Sequence, residues 1–332
     1  MIAVPRFSEG QNPDLIEQIA GEIASVEQEL ARQLGSRIAL VESVGRHTLD
    51  AGGKRLRPAF VALAARATGI DLRSTRVCRI GACMEMIHMA TLIHDDVIDH
   101  ASTRRGRATA SAAFGNTAAI LSGDVLLSKA MVILALDGDL EIIRTVSQSV
   151  VEMAEGEVRE LEIRGRIDLT EDEHLDILRM KTASFIQCCC ESGALIAGAR
   201  SDHRRALGEY GHHIGLAFQI VDDLLDYRSE ATGKPKAGDF REGQATLPLI
   251  YLRPILSSDE ADFVSRRFGS DVSDGDLRTI TGWMAERGAF NLAESAARHH
   301  VDRAARALDG LPPSGAKDLL AQVGDFVLAR QS

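Results

Sequence analysis

Leu92-Ile93-His94-Asp95-Asp96-Val97-Ile98-Asp99 and a later echo, Gln219-Ile220-Val221-Asp222-Asp223-Leu224-Leu225-Asp226, each set acids at i, i+1 and i+4 inside an apolar run. On a helix, i and i+4 share one face, so each run gathers its carboxylates within a single turn. Like charges that close repel, and an apolar surround raises their pKa values unless cations neutralise them. The pair of motifs therefore predicts two helices presenting acids to a common metal-filled cleft. Carboxylate oxygens are hard ligands suited to Mg²⁺, which binds through a few carboxylates plus substrate phosphates.

Working outward, the neighbours of the acids are basic. Gly53-Lys54-Arg55-Leu56-Arg57-Pro58 puts three cations in four residues after a glycine pair, a composition that wraps an anion. Arg104-Arg105-Gly106-Arg107 follows the first motif at once, and paired guanidinium forks suit diphosphate oxygens. His88 lies two turns before Asp95 and so faces the same way. Lys181-Thr182 falls in a small, apolar helical setting where a cation needs an anionic partner. Acids for metal with basic residues around them describe a diphosphate chamber.

The chain between these points reads as helix. Apolar steps of three and four predict helices over Leu15–Leu34, opened by Asn12-Pro13, and Ile38–Leu49. Further helices are predicted over Pro58–Ala67, Thr75–Asp99, Ser111–Leu136, Glu141–Ile163, Thr170–Ala199 and His203–Asp226. Tyr227–Gly243 reads as a loop, Thr246-Leu247-Pro248-Leu249 restarts a helix, and Asp259–Phe268, Ser273–Arg287, Leu292–Leu308 and Gly315–Arg330 complete the set. Glu152, Glu155, Glu157 and Glu160 read as a solvated helix face.

Composition agrees. Hydrophobic residues make up 45% of the 332 but aromatics only 4%, which fits an all-helical protein and a core large enough for one domain, 1–332. A net charge of −10 argues against nucleic acid as a partner. The start lacks the layout of a signal peptide, and no uncharged run reaches transmembrane length; Ala108–Gly123 and Ala183–Ala199 come nearest and read as buried helices. Five cysteines, three of them consecutive at Cys188–Cys190, read as small core residues in a reducing cytoplasm.

From Gly52 to Pro248 the sequence resembles the trans-isoprenyl (polyprenyl) diphosphate synthase family. The likeness rests on Gly52–Pro58, Glu85–Asp99, Arg104–Asn116, Lys181-Thr182, Phe218–Asp226 and Glu242–Pro248. It implies a bundle of long helices around a central cavity, usually a homodimer, that condenses isopentenyl diphosphate head-to-tail onto an allylic diphosphate. Carried across by position, Asp95 and Asp99 would ligate two Mg²⁺ ions and Asp222 a third, with Asp96, Asp223 and Asp226 as weaker partners. Arg104, Lys181, Thr182, Gln219 and Lys234 would hold the allylic diphosphate. Lys54, Arg57, His88 and Arg105 would hold isopentenyl diphosphate.

In the family a bulky aromatic five residues before the first acid, or one later, stops elongation. Here those residues are Ala90 and Thr91, neither of which can plug a tunnel, so the resemblance points to long-chain, octaprenyl- or decaprenyl-type products for a quinone side chain. Met84, Met86 and Phe114 are candidates for a floor. Peripheral membrane contact would serve product release. Gln244 replaces a lysine usual in the family, and Ala237-Gly238-Asp239 stands where Gly-x-Asp is expected; Lys236 is a candidate substitute cation. The competing readings are a farnesyl or geranylgeranyl diphosphate synthase, a non-catalytic synthase subunit, and a class I terpene cyclase, which would not need the Gly53–Arg57 loop.

Overall fold

The computed structural model describes residues 13–68, 75–228 and 237–329. Asn12, Lys234 and Lys236 lie outside them. The described chain is helical apart from one two-residue hairpin and its loops. It divides into two compact units, one comprising the chain through Val146 with Cys189–Leu207 and Gly310–Leu320, the other Ser147–Cys188, Gly208–Asp309 and the chain from Ala321.

In the first unit α1 (Pro13–Leu34), α2 (Ala39–Asp50), α3 (Leu56–Ala67) and α4 (Thr75–Ile98) are followed by strands β1 (Thr103–Arg104) and β2 (Arg107–Ala108). Then come α5 (Ala110–Phe114), α6 (Asn116–Asp137) and the start of α7 (Leu140–Ile163). The core forms around α4, which packs on α1, α3 and α6. Met84, Met86 and Ile87 are fully enclosed, and each such burial stabilises by roughly 1.5–3 kcal/mol. From Ile80 to Ala90 only His88 escapes burial, and from Thr91 onward the helix opens toward its acid-bearing end.

Helix boundaries differ from expectation for identifiable reasons. α3 begins at Leu56 rather than Pro58, because a proline in the first turn lacks only an N–H that would have no helical partner. The single helix expected over Ser111–Leu136 is two, split by Gly115 at φ +85°. By length and composition α6 is also apolar enough to cross a membrane, although its charged residues keep every uncharged run in it short of a span, as expected. It carries Asp124 and Lys129; the Lys129 ammonium donates to the carbonyls of Gln33 and Gly35, both at 2.7 Å. One side packs on α4 and α2, while Leu121, Val132 and Leu136 are exposed on the other.

The second unit holds the rest of α7, then α8 (Glu171–Leu178), whose Thr170–Glu173 capping box matches the sequence signature. The helix expected to run unbroken to Ala199 instead passes through a π-turn, Arg179–Ala183, before α9 (Ser184–Ile196). α10 (Ser201–Arg228) carries the second acid motif. The expected loop after it contains a short helix, α11 (Gly238–Glu242). α12 (Leu247–Leu252) packs on α14 (Asp274–Glu286) and α15 (Ala289–Ala307); α13 (Ser258–Ser265) and α16 (Gly315–Ala329) complete the helices. All five cysteines are free, and Cys188, Cys189 and Cys190 are buried as expected.

Candidate functional site

In the first unit Asp95 is half-buried and Asp99 exposed near the C-terminal end of α4, whereas Asp96 is turned inward and 5% exposed. The difference follows from the helical period, since i+1 lies about 100° around from i. Asp96 Oδ1 accepts from Arg104 Nε at 2.7 Å, so its place is to hold that guanidinium on the hairpin.

The two basic segments meet here. Arg105 donates to the Gly52 carbonyl, Arg107 donates to the Asp50 carbonyl at 2.8 Å, and His47 Nε2 lies 2.7 Å from the Ala108 carbonyl. Arg55 is not a surface cation. It is buried, donates to Glu85 at 3.0 Å and Glu27 at 3.2 Å, and thereby fixes the loop that presents the exposed Lys54 and half-buried Arg57. Burial pushes the pKa of Arg57 down, against the pull of Glu85 and Asp95. Burial also pulls His88 well below the usual imidazole range, and Arg57, Arg105, Arg104 and Arg55 pull it further. The summed field of Arg57, Arg105, Arg104 and Arg55 at His88 is a positive potential suited to a polyanion.

In the second unit a chain of hydrogen bonds runs from the π-turn to α10. Thr182 donates to Gln219 at 3.2 Å, Gln219 donates to Asp223 at 3.3 Å, and His174 Nε2 lies 2.9 Å from the other oxygen of Asp223. Asp223 is buried, like Asp96, and Asp222 and Asp226 are half-buried. Lys181 sits in the π-turn and pairs with Glu157 at 2.8 Å and with Glu160. Burial works to lower its pKa, but the two carboxylates outweigh that and hold it up. Glu157 and Glu160 are therefore no solvated face; Glu152 pairs with Arg179 at 3.0 Å. Gly215 lets α10 approach the π-turn: a Cβ there would lie 2.5 Å from the Ala183 Cα.

Asp239, on α11, was read from sequence only as part of a displaced loop. Its backbone N–H donates to Asp226 Oδ2 at 3.0 Å. Burial raises its pKa well above the usual carboxylate range, and Asp226 and Asp223 raise it further. That crowding is what a cation would relieve, so the donor set fits a divalent metal. Among the described residues no three His, Cys, Asp or Glu side chains form a group that could hold an ion. Gln244 is half-buried, and its backbone N–H donates to the Asp239 carbonyl at 2.8 Å.

His174 was missed because a histidine in an acidic, capping-box helix carries no sequence mark of its partner. We expect His174→Ala to leave Asp223 with an unmet buried acceptor and to cost ~1–3 kcal/mol, read as a lower urea midpoint with an unchanged slope. Strain also collects here. Arg55, His100, Arg105 and Ala237 are the non-glycine residues of positive φ among those described, each costing on the order of 1–3 kcal/mol. All four flank the acids or the basic loop.

A family model described as polyprenyl synthetase matches residues 38–280. The all-trans-nonaprenyl-diphosphate synthase (geranyl-diphosphate specific) of Rhodobacter capsulatus is 35% identical over 96% of this chain and 97% of its own length. The octaprenyl diphosphate synthase of Escherichia coli is 33% identical over 95% of this chain and 97% of its own. A crystal structure of a decaprenyl diphosphate synthase from Rhodobacter capsulatus superposes with a TM-score of 0.90 at 34% identity, covering 96% of this chain and 99% of the other. A polyprenyl synthase from Caulobacter crescentus, complexed with calcium and isoprenyl diphosphate, also reaches 0.90, at 32% identity over 98% and 100% of the two chains.

Proposed function

The chain belongs to the polyprenyl synthetase family and is a trans-prenyltransferase, and we propose that it extends an allylic diphosphate by repeated head-to-tail addition of isopentenyl diphosphate to long-chain length. The observation that carries the site assignment is the meeting of the two basic segments, Arg105 and Arg107 on the Gly52 and Asp50 carbonyls, beside the acid motif whose Asp96 holds Arg104.

We assign isopentenyl diphosphate to Lys54, Arg57, His88 and Arg105, and the allylic diphosphate to Arg104, Lys181, Thr182 and Gln219. Asp95, Asp99 and Asp222 would hold the divalent metal, Mg²⁺ in three ions, with Asp226 beside them. What the metal supplies when bound is neutralisation of charge on the departing diphosphate. The protein's part is preorganisation. Arg104, fixed by Asp96, and Lys181, fixed by Glu157 and Glu160, meet the charge that develops as the allylic C–O bond breaks. The double bond of isopentenyl diphosphate attacks the allylic carbon, and the proton then lost passes to the departed diphosphate. Neutral His88 donates a hydrogen bond without adding a charge that must be released.

Incubating the protein alone with Mg²⁺, farnesyl or geranylgeranyl diphosphate and radiolabelled isopentenyl diphosphate tests the reading. Octaprenyl or longer products support it. Products ending at geranylgeranyl length would replace the long-chain assignment. A silent protein that is active only with a second chain would favour a subunit role, the arrangement suggested by a 34% identical relative named heptaprenyl diphosphate synthase component 2. If both acid clusters serve one step, Asp95→Asn and Asp222→Asn will be strongly non-additive in kcat.

Gln244→Lys restores a cation the family usually has, and the expected result is a several-fold lower KM for the allylic substrate with kcat unchanged. We also infer a homodimer, with Leu121, Val132 and Leu136 of α6 as part of the covered face. Leu136→Glu should raise the monomer fraction in sedimentation. The free thiols of all five cysteines support work in the cytoplasm.

A further inference from the structure

Within the second unit, away from the acids, α10 and α15 bring four imidazoles into one chain of contacts. Ring centroids lie 5.0 Å apart for His212 and His213, 5.3 Å for His213 and His300, and 5.7 Å for His299 and His300. Nδ1 of His213 is 3.1 Å from Nδ1 of His300, and both rings are half-buried. Prenyl transfer has no use for this pair.

A hydrogen bond accounts for the distance only if one nitrogen donates and the other accepts. The same distance suits another arrangement. Two imidazole nitrogens bonded at about 2.1 Å to one ion and 3.1 Å apart subtend about 95° at it. That is close to the cis angle of octahedral or tetragonal coordination, whereas a tetrahedral angle would separate them by about 3.4 Å. We propose that His213 and His300 form a two-nitrogen site for a late first-row divalent ion of the Ni²⁺ or Cu²⁺ kind, completed by water, which staples α10 to α15.

The electrostatics are compatible. Burial, then the neighbouring imidazoles and Arg303, hold His213 down to about 3 and His300 down to about 4. Both are therefore neutral at pH 7, which is the ligating form. Arg303 opposes any cation, as it does the protonation of His212, where Arg179 also acts. The site is therefore one of modest affinity. Imidazole selects against Mg²⁺, a hard ion that prefers oxygen, so the staple is independent of the metal used in catalysis.

The test is calorimetric titration of Ni²⁺ into tag-free full-length protein saturated with Mg²⁺. One Ni²⁺ per chain is expected. His213→Gln and His300→Gln should each weaken it by about tenfold or more, while His299→Gln stays near wild type. Bound Cu²⁺ should show two nitrogen couplings in its electron paramagnetic resonance spectrum, and Ni²⁺ should raise the melting temperature of the wild type but of neither variant. Prenyl transfer without Ni²⁺ should be unchanged in both variants, which establishes that they are folded. No binding to the wild type, or binding undiminished in the double variant, overturns the proposal.

Discussion

Asp95→Asn and Asp99→Asn each lower kcat by on the order of 10²–10³-fold, the usual cost of removing one preorganised electrostatic contact to a developing charge. Asp95 is half-buried and Asp99 exposed, one helical turn apart. Asp96 should behave differently. It is buried and paired with Arg104 at 2.7 Å, and removing it strands a guanidinium, so Asp96→Asn loses stability and activity together. Raising Mg²⁺ should recover part of the Asp99→Asn loss, through a higher Mg²⁺ requirement, and none of the Asp96→Asn loss. If Asp95→Asn and Asp99→Asn keep most of their turnover, these carboxylates do not hold the metal.

That contrast was partly latent in the sequence. A period of 3.6 places the i and i+4 acids on one face and the i+1 acid on another, but that Asp96 and Asp223 turn inward, rather than serving as the weaker metal partners expected, is seen only in their burial. The long apolar runs fixed α4 and α10 to within about two residues. Other features had no sequence signal. A π-turn adds a backbone register shift that leaves no change in apolar period, so Lys181 was expected in an uninterrupted helix. Glu157 and Glu160 were misread as solvated because periodicity reports a face and not a partner. The partner came from the π-turn that periodicity could not show. The hairpin at Arg104–Arg107 is too short for an alternating pattern, and α11 hides in a stretch whose glycines and proline read as loop. Arg55 looked like one of three equivalent cations in its loop. Only the buried position of Glu85 distinguishes it as the one that holds the loop rather than the substrate.

Thr91→Phe should shorten the products to farnesyl or geranylgeranyl length while leaving the first condensation near its wild-type rate. Thr91 lies four residues before Asp95 on the same helical line, about 6 Å back along the axis, and it is half-buried. Its hydroxyl donates to the His88 carbonyl at 2.9 Å, a local bond whose loss costs little. A phenyl ring there stands behind the reacting end of the chain, between His88 and Asp95 on the same helical line. Ala90, the other candidate from sequence, is 1% exposed and faces the packed interior of the first unit. Ala90→Phe should therefore act first on the fold, with overpacking of about 1–3 kcal/mol and a melting temperature lower by several degrees. Met84 continues the line of His88, Thr91 and Asp95 and is fully buried, about 16.5 Å before Asp95 at the helical rise, which makes it the stronger candidate for the floor. Met86, on a different face, is packed in the core. Chromatography of dephosphorylated products from the two variants decides the matter. An unchanged long-chain distribution from a folded Thr91→Phe enzyme would show that the growing chain does not pass this face of α4.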